Sequence, residues 1–168
     1  MNNELRINKK RGVSGFTLVE TLIYSAITVM MLVFAIFTVY NMISASNKVR
    51  SQKELSEGKK FLEQKIYWTL QSISAINSPA PGATSTSLSV TKLNYANNPV
   101  VIDNPDWIAR IKKGSGNAIP ITGDYVSLKD LNFHQFTFSG RPAIYTSGTM
   151  TDIYSSTSVD IDFTIIAQ

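Results

Sequence analysis

The chain has 168 residues, a formal net charge of +4, one histidine (His134) and no cysteine. That length holds one modest globular domain plus an appendage rather than two independent domains. Without cysteine there is no disulfide staple, thiolate nucleophile or thiolate metal ligand. The first fifteen residues carry Arg6, Lys9, Lys10 and Arg11 against Glu4, a net of +3 that leaves only +1 for the rest, so the basic balance belongs to the tail and gives no argument for a nucleic-acid partner.

Residues 1–15 end in Gly-Val-Ser-Gly and are too short and glycine-rich to fold. From Phe16 to about Asn77 there is no proline and only one glycine, Gly58, which predicts a single long helix. Its first half, residues 16–43, is apolar all round. Residues 21–43 carry no formal charge and exceed the roughly 20 apolar residues that cross a bilayer. Its second half, residues 44–77, is striped: Leu55, Leu62, Ile66, Leu70 and Ile73 recur at helical spacing, while Lys53, Glu57, Lys60, Glu63 and Lys65 fall elsewhere on the wheel. One face of that half is built to lie against something.

The stretch "NSPAPGATSTS" ends the helix and reads as a linker. From residue 78 onward the period changes to two. "SLSVTKLNY", "YVSLKDLNFHQFTF" and "SVDIDFTII" alternate β-branched or aromatic residues with polar ones, while "ANNPVVIDNPDW" and "KKGSGNAIPITGD" read as turns between them. The fold class expected is α+β: a long amino-terminal helix whose striped half covers one face of an antiparallel sheet of about four to six strands, residues 78–168. No internal repeat supports a solenoid or propeller.

Glu20 stands at the mouth of the apolar segment. A mid-membrane carboxylate costs about 2.5–3.5 kcal/mol on insertion scales, less near the interface, and such groups usually have a partner or a function. The simpler reading is that Glu20 snorkels to the interface and begins an ordinary anchor. The residues around it, Lys10 and Arg11, then "GVSG", then "FTLVETLIY", resemble the class III signal of prepilins and pseudopilins. The resemblance implies a type IV pilin-like protein: a leader recognised through Lys10 and Arg11, cleaved after Gly15 by a prepilin peptidase, with Phe16 as the new, N-methylated amino terminus. Glu20 then falls at the fifth mature position, where the family keeps a glutamate. Cleavage would create an amine at Phe16 about one helical turn from Glu20, and in a filament a neighbour's amine could neutralise the carboxylate and favour one axial register.

From the residues neither a nucleophile and base pair nor a metal set can be assembled, so no enzyme and no cofactor are expected. What the resemblance implies further is a structural subunit. It would be inserted in the cytoplasmic membrane with its amino terminus inside, held by lipid before assembly. The inner-membrane machinery would then draw it into a surface or periplasmic filament of other pilin or pseudopilin subunits. Three features favour a minor over a major pilin: the missing cysteine pair, the absence of glycine and proline from the apolar segment, and a loose likeness of the strand-rich end to J-type minor pseudopilins. A major pilin for adhesion or motility and a single-pass anchored binding module that never polymerises are the alternatives. A further rival is a secretory signal cut after "ISAS", leaving Asn47 first, although the apolar segment exceeds the 7 to 15 residues typical of a signal core.

The sheet region offers little chemistry. His134 alternates with Phe136 and Phe138 and reads as a packing residue. Oxygen ligands for calcium could come from Asp103, Asn104 and Asp106, or from Asp160 and Asp162, but "DNPD" lacks EF-hand spacing, and Asp160 and Asp162 alternate with Val159, Ile161 and Phe163 as the solvent face of a strand does. The "GSG" at 114–116 lacks the context of a phosphate cradle. Arg110, Lys112 and Lys113 with Trp107 could form a patch on which single-stranded DNA stacks; a solvated edge strand protected by charges is the plainer reading.

Overall fold

A computed structural model of the chain describes residues 15–168; the leader up to residue 14, with Lys10 and Arg11, lies outside the described residues. The architecture is α+β, one long amino-terminal helix and two antiparallel sheets. The chain divides into two compact units, the first closing at Ser44 and the second spanning Ala45–Gln168. Helix α1, Leu18–Leu70, contributes to both.

In the first unit every described residue is exposed. Large apolar side chains stand open on all sides of the helix, Phe16 and Met30 at 77% and Phe34 at 72% among them. A helix apolar all round has no stable place in water and calls for lipid or other helices. Its most apolar 18-residue window has a mean hydropathy of 2.4, so α1 is long and apolar enough to cross a membrane.

In the second unit the stripe does what its spacing requires: Leu55, Leu62, Ile66 and Leu70 are buried, in one apolar cluster with side chains of both sheets. The charged faces stay in solvent, with Arg50–Glu54 at 2.9 Å and Lys53–Glu57 at 3.9 Å as exposed pairs one turn apart, each worth about 0.3–0.5 kcal/mol.

The helix stops earlier than the proline-free run suggests. It ends at Leu70, and Ile73–Ser78 is strand β1, not helix. Ser72 adopts a left-handed φ of 52° and its carbonyl accepts from the Leu93 amide at 2.7 Å, so the chain turns there and Ile73 pairs with Lys92. Ile73 fits the helical stripe by spacing and fits a strand by its branching; long-range pairing decides between them.

Among the described residues nine strands form two sheets, not the single sheet of about four to six expected. They are β1, β2 (Thr84–Ser85), β3 (Leu88–Lys92), β4 (Val100–Asp103), β5 (Arg110–Lys113), β6 (Ile119–Pro120), β7 (Val126–Phe138), β8 (Arg141–Asp152) and β9 (Ser158–Ile166). One sheet runs β1-β3-β4-β5-β6 and the other β2-β7-β8-β9. Strands β4 and β6 lie inside stretches that read as turns.

A bulge in β7 sets which residues reach the core. The β7–β8 register shifts between Lys129 and Asn132, with Asp130 at φ 52°. Beyond it Leu131 and Phe133 are buried with Leu128, although strict alternation would separate 128 from 131 and 133. Gly148 on β8 allows the close approach, because a Cβ there would meet Leu131 Cα and Lys129 O at 3.2 Å.

Lys92, 8% exposed, closes the carboxyl end of α1. Its Nζ donates to the carbonyls of Trp68 at 2.6 Å and of Gln71, and lies 4.6 Å from the Trp68 ring centroid. The last carbonyls of a helix have no intrahelical donor and carry the negative end of its dipole, so a cation there is doubly favourable. Burial lowers the Lys92 pKa from its ordinary value, the cost of holding that charge away from water.

Candidate functional site

The sequence concentrates its unusual residues where α1 begins, and the local structure gives Glu20 a role that neither snorkelling nor pairing anticipates. Thr17 is the residue before the helix. Its backbone N–H and its hydroxyl both donate to Glu20 Oε2 at 3.1 Å, and the Glu20 N–H donates to Thr17 Oγ1 at 3.3 Å. This is a capping box: threonine at the N-cap and glutamate three residues on satisfy each other's orphan amides. The negative charge also meets the positive end of the helix dipole. The sequence signal of the box is Thr-Leu-Val-Glu before an apolar run.

The two bonds from Thr17 both arrive at Oε2, which does not exhaust the acceptor capacity of an ionised carboxylate. Phe16, just outside the helix, packs edge-on against Tyr24 with ring centroids 6.1 Å apart. Gly15 has no φ in the left-handed region and a Cβ there would meet nothing within 4 Å. The described fold therefore makes no demand for glycine at 15.

Within the apolar segment, three aliphatic hydroxyls are satisfied by the helix itself. The hydroxyls of Ser25, Thr28 and Thr38 donate to the carbonyls of Leu22, Tyr24 and Phe34 at 2.9, 2.8 and 2.9 Å. That back-bonding suits a segment that leaves water, where an unsatisfied polar group is costly.

Comparisons with protein-family models, with curated proteins and with solved structures gave no match. The functional reading rests on the residues themselves.

In the second unit the candidates scatter. His134 is half-buried, stacked on Phe136 at 6.2 Å, with Nδ1 3.1 Å from Thr84 Oγ1. Among the described residues no group of three or more His, Cys, Asp or Glu side chains could hold a metal ion. Asn104 instead donates to the Leu128 carbonyl at 3.2 Å and Asp106 accepts from Arg110 at 2.9 Å. Asp160 accepts from Thr149 at 3.3 Å, and the neighbouring Asp162 carboxylate raises the pKa of Tyr145. The residues named for DNA stacking do not gather around Trp107: Arg110 is engaged by Asp106, and Lys113 Nζ lies 4.7 Å from the ring of Trp68 instead.

Asp152, at the end of β8, ties a turn. Its carboxylate accepts from the Tyr154 amide at 2.9 Å and the Ser155 hydroxyl at 2.8 Å. The Ser51 hydroxyl foremost, then these groups, hold its pKa at about 2 against the usual 3.8. The unfolded carboxyl binds its proton more tightly, so the contribution is whole above 3.8 and is lost as pH falls through about 2. Solvent screening keeps it below about 1 kcal/mol. Thermal melts of Asp152→Asn across that acid range should show lower stability at neutral pH and a shallower decline between pH 3.8 and 2 than wild type.

Proposed function

We propose that the chain is the precursor of a structural subunit, a minor pilin or pseudopilin, of a type IV pilin-like filament. A prepilin peptidase cuts after Gly15 and methylates Phe16; the amino terminus faces the cytoplasm and the sheet-bearing unit the far side of the inner membrane. The apolar part of α1 sits in lipid until the assembly machinery moves it into a filament core of similar helices.

The observation that carries this reading is the junction itself: a glycine the fold does not need stands two residues before the capped start of a fully exposed apolar helix. Among the described residues no contact requires glycine at 15, which leaves the position free to serve the narrow site of a peptidase. The secretory alternative fits less well, because α1 runs through residues 43–46 without a break.

The physics of assembly gives Glu20 its second role. Lipid tails are as apolar as leucine, so burying helices against one another gains little hydrophobic free energy over leaving them in the bilayer. Packing and polar pairs must select the arrangement. The amine of a neighbour's Phe16, meeting a carboxylate already fixed by its capping box, supplies a pair that only one register satisfies.

Gly15→Leu tests the reading. In cells that make prepilin peptidase, the variant should fold as wild type by circular dichroism and thermal melting yet stay at precursor mass. Normal shortening of the leucine variant would contradict it.

A further inference from the structure

The loop between β4 and β5 holds Trp107 in a conformation that bulky residues rarely adopt. Its φ is 59°, a left-handed value that strains any residue with a Cβ, and yet the side chain is 63% exposed. Strain of this kind clusters at ligand-binding and active sites; here it presents an indole to solvent. The backbone around it is fixed on both sides. The Leu128 amide donates to the Trp107 carbonyl at 2.7 Å, the Trp107 amide donates to Pro105 O at 3.0 Å, and the Arg110–Asp106 bond of 2.9 Å braces the loop. Lys129 Nζ lies 6.0 Å from the ring centroid.

The indole borders an open groove of about 420 Å³ that also takes in Asp124, Lys129, Thr151 and Ser156. That volume is in the range of about 300–1000 Å³ usual for small-ligand sites, which combine apolar surface with a few polar groups that fix orientation. Its charge selects the ligand class. Asp106, Asp124 and Asp152 line the groove with one ammonium, Lys129. Asp106 is neutralised by Arg110 and Asp152 is held by its own turn, which leaves Asp124 as the available acceptor and a small negative balance that disfavours phosphates and the backbone of a nucleic acid. A neutral polyol fits instead: the apolar face of a pyranose ring stacks on a flat aromatic, while its hydroxyls donate to a carboxylate and exchange hydrogen bonds with threonine and serine hydroxyls.

We propose that this groove binds a neutral oligosaccharide, with Trp107 as the stacking platform and Asp124 as the acceptor for sugar hydroxyls. The site lies wholly within the second unit, so it holds whether or not the chain polymerises, and it gives the solvent-facing part of the molecule a ligand.

The test uses the full chain in a zwitterionic detergent, since glycosidic detergents would compete. Calorimetric titration with chitotetraose, cellotetraose, maltotetraose and mannotetraose should give saturable binding to at least one, with a Kd of about 1 mM or tighter. Trp107→Asn, a residue that tolerates left-handed φ, should lose about tenfold or more in affinity while its melting temperature stays at or above that of wild type. Asp124→Asn should weaken binding without affecting the fold. Absence of binding to all four sugars, binding unchanged in the correctly folded Trp107→Asn variant, or preferential binding of oligo(dT) would each overturn the assignment.

Discussion

Glu20→Gln is expected to keep the start of α1 intact and to remove the chain from filaments. Glutamine serves in a capping box as well as glutamate does, so the Thr17 bonds at 3.1 Å have a replacement, membrane insertion is unchanged and cleavage after Gly15 proceeds. Only the charge is gone. Removing one partner of a desolvated charge pair costs about 2–5 kcal/mol, so incorporation should fall by about tenfold or more. Glu20→Ala loses the cap as well, a further cost of about 0.5–2 kcal/mol to the helix start. Immunoblots of sheared filaments against the membrane fraction separate the roles. If Glu20→Gln enters filaments at wild-type level and only Glu20→Ala is depleted, Glu20 is a capping residue and the pairing idea is wrong.

Phe133→Ala carries the largest expected loss of stability. Phe133 is fully buried in the cluster that includes Leu62 and Ile66 of α1. Truncating a buried phenylalanine costs about 3–5 kcal/mol, a large share of the total of about 5–15 kcal/mol for a domain. Phe136, on the other face of β7 and only half-buried, should cost clearly less. Denaturant titration of both variants checks the β7 bulge: equal losses would mean that Lys129–Asn132 does not set the faces as described.

How much of this was legible depends on range. The stripe Leu55, Leu62, Ile66 and Leu70 was readable because one helix face needs only local spacing. The stretches that became β3, β7 and β9 were readable because alternation is local too. Strand β4 was hidden, since Pro99 and Pro105 flank the four residues Val100–Asp103 and read as turn signals. Strand β8 was missed because Pro142, Gly148 and its serines and threonines dilute the alternation, and it is held from both sides by β7 and β9. The end of α1 was misplaced for a related reason: Lys92, 22 positions beyond Leu70 in the chain, supplies the cap, and no window around Leu70 contains it.

The candidate site divides in the same way. The capping box is legible in the sequence once Thr17 is read with Glu20; the cleavage role proposed for Gly15 and Phe16 rests on the local motif alone. The neighbourhood of Trp107 is not legible there: nearness in sequence grouped it with Arg110, Lys112 and Lys113, whereas folding gives it Lys129 from β7 and turns Lys113 toward Trp68.

A pilin-like precursor is defined by where its mature chain begins. Mass spectrometry of the amino-terminal peptide from membranes of cells that make prepilin peptidase should give a chain starting at Phe16 and carrying a methyl group on its amine. A chain beginning at Asn47, or one still carrying residues 1–15, would contradict the pilin-like reading.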